Sequence, residues 1–329
     1  MAILVRRCLL LICGAFVFLN REGLSQSDAQ NENPLTLKSV VSAWTEREAR
    51  ARTIDISAVG TEFRAERSFS EGVDQKTGRP KKITVPDTSF VLKVRLAIDG
   101  AELFRMEYSG KDIAPKGSTA YGISKSAPEG NSLPESHYID LFNSNEGRRY
   151  MIFLVSHAGY PSGHIRKAEA RDGPRYSQAI PIRLIYRPFD PKVGVFDAKK
   201  LTLTKDKGVV DDRTCLILRD GEKTVWVDPA SDFMPVRYFE MKNGVTRRSI
   251  DIKYAADSQH GWVPVSWTND SVNEQGKTED SVKMTAVKCN IGEPIPKATF
   301  EPQYPLGAWV TDHVKNESYI LRNDGKRRV

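Results

Sequence analysis

Residues 89–100 read SFVLKVRLAIDG, with Phe90, Leu92, Val94, Leu96 and Ile98 at every second position and Lys93, Arg95 and Asp99 between them. Side chains leave a β-strand on alternate faces, so a period of two means one face turned to a core and one to water. A helix would scatter the same residues around its axis. The period recurs. In AELFRMEYSG, Phe104, Met106 and Tyr108 share a face, and HYIDLFNSNEGRRYMIFLVSH reads as a hairpin turning at Asn145, Glu146 and Gly147. RYMIFLV is apolar on both faces, which predicts a strand covered on both sides. Farther on, TCLILRDGEKTVWVDP turns at Asp220 and Gly221, and PVRYFEMKNGVTRRSIDIKY turns at Asn243 and Gly244. GWVPVSWTNDSV and TEDSVKMTAVKCNIG extend the meander.

Ahead of the strands, PLTLKSVVSAWTEREARAR spaces Leu37, Val40, Val41 and Trp44 along one face of a helix predicted from Leu35 to Arg52. One early helix followed by about ten or more antiparallel strands predicts an α+β, mainly β fold, with a strongly curved sheet wrapped around a helix. IPIRLIYRPFDPKVGVFDAKKL predicts one more strand and a short helical turn. Residues 156–180 are rich in Gly, Pro and charge and read as a loop insertion. Residues 316–329 read as a polar tail. No composition shift divides the rest, so 35–315 is expected to form a single domain.

The N-terminus bears on location. Arg6 and Arg7 precede CLLLICGAFVFLN, and small and polar residues follow through GLSQSDAQ, the pattern of a signal peptide over 1–25, cleaved near Ser25 or after Ala29. The apolar run stops at Arg21 and Glu22, short of the roughly 20 residues that cross a bilayer. A polar leader, 26–34, follows, and the mature chain is expected to be periplasmic or secreted. Cys8 and Cys13 would leave with the signal. In an oxidising compartment Cys215 and Cys289 either form a disulfide or remain two buried thiols on separate strands. The 49 Lys and Arg against 42 Asp and Glu give +7. Losing Arg6, Arg7, Arg21 and Glu22 leaves +5, spread along the chain, which argues against a nucleic-acid partner.

The stretch KTVWVDPASDFMPVRYFEMKNG leads from Trp226, Asp228 and Pro229 to Pro235, Val236, Arg237 and Tyr238. This order of elements resembles the later hairpins of the LolA-like superfamily, exported bacterial proteins that include the outer-membrane lipoprotein carriers. Near the end, Phe300, Pro305, Gly307, Val310 and Asp312 are similar to that superfamily's closing strand. The resemblance implies an incomplete antiparallel β-barrel of about eleven strands, with the N-terminal helix packed against or lidding the concave face. It implies a module that binds an apolar ligand, an acyl chain or a lipoprotein, without catalysis. The same scaffold serves envelope sensors similar to RseB, so the alternative is a sensor or protein-interaction module with an envelope protein as partner.

Aromatic residues and Met on strands that enclose something are the candidates for a cavity wall: Leu92, Val94, Phe104, Met106, Tyr108, Trp226 and Trp267. If the helix fills the concavity they are core, and if it only lids it they meet a ligand. Little in the chain suggests chemistry. His157 and His164 stand seven apart, which is no zinc spacing on a helix or strand, and Ser162 lacks the frame of a nucleophile elbow. No catalytic residue, metal site or cofactor is expected. Asp228, before a proline at a strand end, is expected to cap a turn. Binding is therefore expected to depend on the sheet's apolar face and on no ionisable residue.

Overall fold

The computed structural model describes residues 35–73, 80–85, 87–113, 136–155, 161–168, 177–190, 194–324 and 327–328. The expected signal peptide and leader and His157 lie outside them, and everything below belongs to the unit Thr36–Val329.

Thr36 starts the first helix, α1 (Leu37–Arg50), with a capping box: its hydroxyl accepts from the Ser39 amide at 3.2 Å and its amide donates to the Ser39 hydroxyl at 3.0 Å. Val40, Trp44 and Arg47 form the buried stripe. Eight strands follow: β1 (Thr53–Arg64), β2 (Arg67–Val73), β3 (Pro80–Val85), β4 (Thr88–Asp99), β5 (Leu103–Ile113), β6 (Ser136–Asn143), β7 (Arg148–Val155) and β8 (Ser162–Lys167). A second helix, α2 (Ile180–Tyr186), precedes the long meander of β9 (Thr202–Val210), β10 (Arg213–Asp220), β11 (Lys223–Asp228), β12 (Met234–Lys242), β13 (Val245–Asp257), β14 (Gly261–Val272) and β15 (Thr278–Ile291). The chain ends in β16 (Trp309–Asp312), β17 (Glu317–Leu321) and β18 (Arg327–Arg328).

Among the described residues, sixteen strands form one open sheet in the order β18-β17-β16-β8-β7-β6-β5-β4-β1-β15-β14-β13-β12-β11-β10-β9, and β2 pairs with β3. Neighbours are antiparallel except β8 and β16. The alternation in β4 is realised: Phe90, Leu92, Val94, Leu96 and Ile98 are buried, and Lys93 is exposed. Asn243 and Gly244 both take positive φ, 54° and 78°, the two left-handed residues that a tight hairpin between twisted strands requires.

The sheet curls around its helices. Tyr108 on β5 and Leu218 on β10 are eight strands apart, roughly 38 Å on a flat sheet, yet both belong to one core that includes Val40 and Trp44 of α1 and Ile182, Leu184 and Ile185 of α2. This mainly β, open, helix-filled architecture is the incomplete barrel expected from the sequence, with more strands than the eleven anticipated.

Three local readings are corrected, and for the two cysteines the structure takes the free-thiol alternative. Residues 180–186 form a helix where a strand was expected, because Pro181 suits the first helical turn and would interrupt a strand ladder. Within 156–180, read as a loop, Ser162–Lys167 is β8. Within the expected tail, β17 pairs with β16. Cys215 and Cys289 are both free. They stand on β10 and β15, five strands apart, which is about 24 Å along the sheet against the 7 Å limit for Cα atoms of a disulfide.

A second core lies on the other face of β6–β8. Ile139, Leu141, Tyr150, Ile152 and Ile165 pack with Ala308, Val310 and Tyr319, while Phe142 of β6 belongs to the first core. The segment after β15 crosses this face. Arg105 donates to the Thr299 carbonyl at 2.9 Å, and a side chain at Gly163 would run into the Tyr304 ring. RYMIFLV is thus fully covered on the face of Tyr150 and Ile152, while Met151 and Phe153 on the other face are half-buried.

Candidate functional site

The turn between β11 and β12 builds one wall of the site. The buried Asp228 carboxylate accepts from the Ala230 amide at 2.9 Å, the Ser231 hydroxyl at 2.6 Å and the Arg213 guanidinium at 3.2 Å, so it caps the turn. Beyond it Asp232 and Phe233 have φ of 55° and 54°. Two consecutive side-chain-bearing residues in the left-handed region are strained, and surrounding contacts must hold them there. Helix α1 does so: the Trp44 indole donates to the Phe233 carbonyl at 2.7 Å, and Arg47 Nη2 donates to the Asp232 carbonyl.

Helix α2 is placed by polar contacts at both ends. Gln178 donates to buried Glu62 at 2.7 Å, and Asn269 donates to the Ser177 carbonyl at 2.6 Å. At the other end the buried Arg187 guanidinium donates to the Tyr186 carbonyl at 2.6 Å and the Arg52 carbonyl at 2.8 Å. Tyr186 is thereby set beside the last turn of α1.

Between these parts lies a cavity of about 390 Å³, lined by Arg47, Arg50 and Ala51 after α1, Tyr186 of α2, Asp232 and Met234 of the turn, Gln259 to Trp262 of the β13–β14 hairpin, and Ile291 of β15. That volume falls in the range of small-molecule sites, roughly 300–1,000 Å³. Its wall is apolar at Ala51, Met234, Trp262 and Ile291 and charged at the α1 side. Arg47 is 5 % exposed, and burial pushes its guanidinium below the usual arginine range against the raising effect of Tyr254 and Asp232. Arg47 and Arg50 share one carboxylate, Asp232, at 3.9 and 3.4 Å. His260 is held by Asp257 at 2.9 Å through Nδ1. The Tyr186 hydroxyl lies beside Cys289, and burial raises both, the thiol to about 12.

The seven residues expected to wall a cavity lie elsewhere. Leu92, Val94, Phe104, Met106, Tyr108 and Trp267 are buried in the first core, with Leu92 and Met106 at 0 % exposure. Trp226 alternates with buried Val225 and Val227 and stands on the opposite side of β11, over Gly208 and 5.6 Å from the Arg237 guanidinium. None of the seven lines the cavity at the end of α1. Arg47, Tyr186, Asp232 and His260 escaped sequence reading. The one available signal was Arg47 falling on the apolar stripe of α1, three residues after Trp44.

His164 also differs from the loop histidine expected. On β8 it stacks on His313 with ring centroids 5.5 Å apart and a nitrogen contact of 3.2 Å. Among the described residues no group of three or more His, Cys, Asp or Glu is arranged to hold a metal.

The fold defines the class: an open, mainly antiparallel barrel, one capped helix leading into a meander that curls around it. No protein-family model matches the chain, and no curated protein matches it. Among solved structures it is similar to a LolA superfamily protein from Nitrosomonas europaea, at 10 % identity and a TM-score of 0.38 over 82 % of this chain and 98 % of that one. It is also similar to an uncharacterized conserved protein from Thermus thermophilus, at 9 % identity and a TM-score of 0.34 over 84 % and 98 % of the two chains. A beta-barrel-like protein from Brucella abortus, of a domain of unknown function, is similar at 10 % identity and a TM-score of 0.24 over 72 % and 98 %.

Proposed function

We propose that this chain is an exported binding module that shelters the apolar part of a lipid-like ligand, one acyl chain, and performs no chemistry on it. The observation that carries this reading is the cavity of about 390 Å³ with Ala51, Met234, Trp262 and Ile291 on its wall. Burial of apolar surface, at about 25 cal/mol per Å², supplies the driving force. The size suits one chain, and the barrel's interior offers little further room because α1 and α2 fill it. The ligand therefore enters at the end of α1, where Met106 is not part of the wall.

Native mass spectrometry of the exported protein, with lipid extraction, tests this. A co-purifying single-chain lipid, displaceable by dodecanoate, supports the reading. A chain that carries nothing and takes up no added fatty acid overturns it. The second reading, an interaction module, rests on β9, an open sheet edge on which Val209 is 64 % exposed. A ligand-free chain that retains an envelope protein in pull-down favours that reading.

A further inference from the structure

The cavity's charged side is built for more than a neutral chain. Two guanidinium groups, Arg47 and Arg50, face it with one carboxylate between them, Asp232, which is half exposed. Arg47 spends Nη2 on the Asp232 carbonyl, while its Nη1 is buried with no hydrogen-bond partner. Across the same cavity, His260 Nε2 is buried and likewise unpartnered, its Nδ1 engaged by the exposed Asp257. A buried donor left without a partner on a charged group is costly, and folded chains tolerate it mainly where something else completes the bond.

We propose that the cavity binds a single-chain amphiphile by an acidic headgroup, whose oxygen accepts from Arg47 Nη1 beside His260 while the tail lies along Met234, Trp262 and Ile291. The inference rests on the amphiphile reading above and adds the headgroup to it. The negative charge balances the excess guanidinium. Protonated His260 donates from Nε2 to a carboxylate. Neutral His260 accepts there from the hydroxyl of a singly ionised phosphate. Carboxylate and phosphate headgroups share the acceptor chemistry, so both are tested.

Displacement of a fluorescent fatty-acid probe is measured with dodecanoate, dodecyl phosphate, and methyl dodecanoate, which keeps the tail and removes the charge. The acids are expected to bind at least about tenfold more tightly than the ester, the scale of a hydrogen bond to a charged group. Arg47→Met, checked by circular dichroism, should lose that preference while still binding the ester. His260→Ala, on a partly exposed hairpin, should reduce it and serves if the arginine variant fails to fold. Equal binding of acid and ester by the native protein overturns the headgroup assignment and leaves the amphiphile reading standing. Failure of all three ligands overturns both. An acid preference that survives in folded Arg47→Met removes Arg47 as the anchor and overturns the assignment.

Discussion

Asp228 shows how much one side chain organises. Its carboxylate gathers a backbone amide, a hydroxyl and a guanidinium, and the turn it closes presents Asp232 and Phe233 to α1 and Met234 to the cavity. Asp228→Ala leaves the buried Ser231 hydroxyl and the partly buried Ala230 amide unmatched, while the half-exposed Arg213 guanidinium turns to water. It is expected to lower stability by about 1–3 kcal/mol in urea denaturation. Because the strained pair follows at once, acyl-probe affinity should fall too, even where the protein remains folded. Unchanged stability would mean that water replaces the carboxylate.

At the scale of elements, α1 and the turn before β12 form one unit. Trp44, fully buried, packs against Phe189 and Phe196 with ring centroids 5.5 and 5.8 Å away, and its N–H satisfies the Phe233 carbonyl. Trp44→Ala is expected to cost about 3–5 kcal/mol by opening a cavity beneath the helix. Trp44→Phe keeps much of the packing and loses the hydrogen bond, so it should cost less, about 1–2 kcal/mol. Chemical denaturation of the two variants separates packing from hydrogen bonding, and equal losses would refute the division. Binding at the end of α1 should follow the same order.

Over the whole molecule, the parallel joint of β8 and β16 ties the C-terminal segment to the sheet, and the His164–His313 stack sits on it. Burial, then Arg166 and His313, hold His164 below the usual histidine range. The unfolded chain therefore takes up this proton more readily than the folded one. The contribution to stability is complete above about pH 6.5 and is lost as pH falls through the lowered folded value. Amide exchange in Trp309–Asp312, corrected for intrinsic rates, should speed up between about pH 7.5 and about pH 5.5 relative to β1 and β4. Equal protection at both values would show that the stack does not hold the joint.

The strands of this chain were legible because alternation is local: Phe90 to Ile98 state their own period, and Asn243-Gly244 states its own turn. Helix α1 was legible for the same reason, through the apolar spacing of Val40 and Trp44. Helix α2 was not, since Ile180 to Tyr186 are apolar around most of the axis and a segment buried on nearly every side leaves no period to read. Periodicity reports which face a side chain occupies and is silent about what lies opposite. Met106 and Leu92 were assigned to the inner face correctly, and only the packing of two helices against that face made them core. The same limit applies to Cys215 and Cys289, whose separation depends on strand order. It applies to the cavity as well, where Arg47, Tyr186, Met234, His260 and Ile291 meet only because the sheet curls and brings the end of one helix to the rim of distant strands.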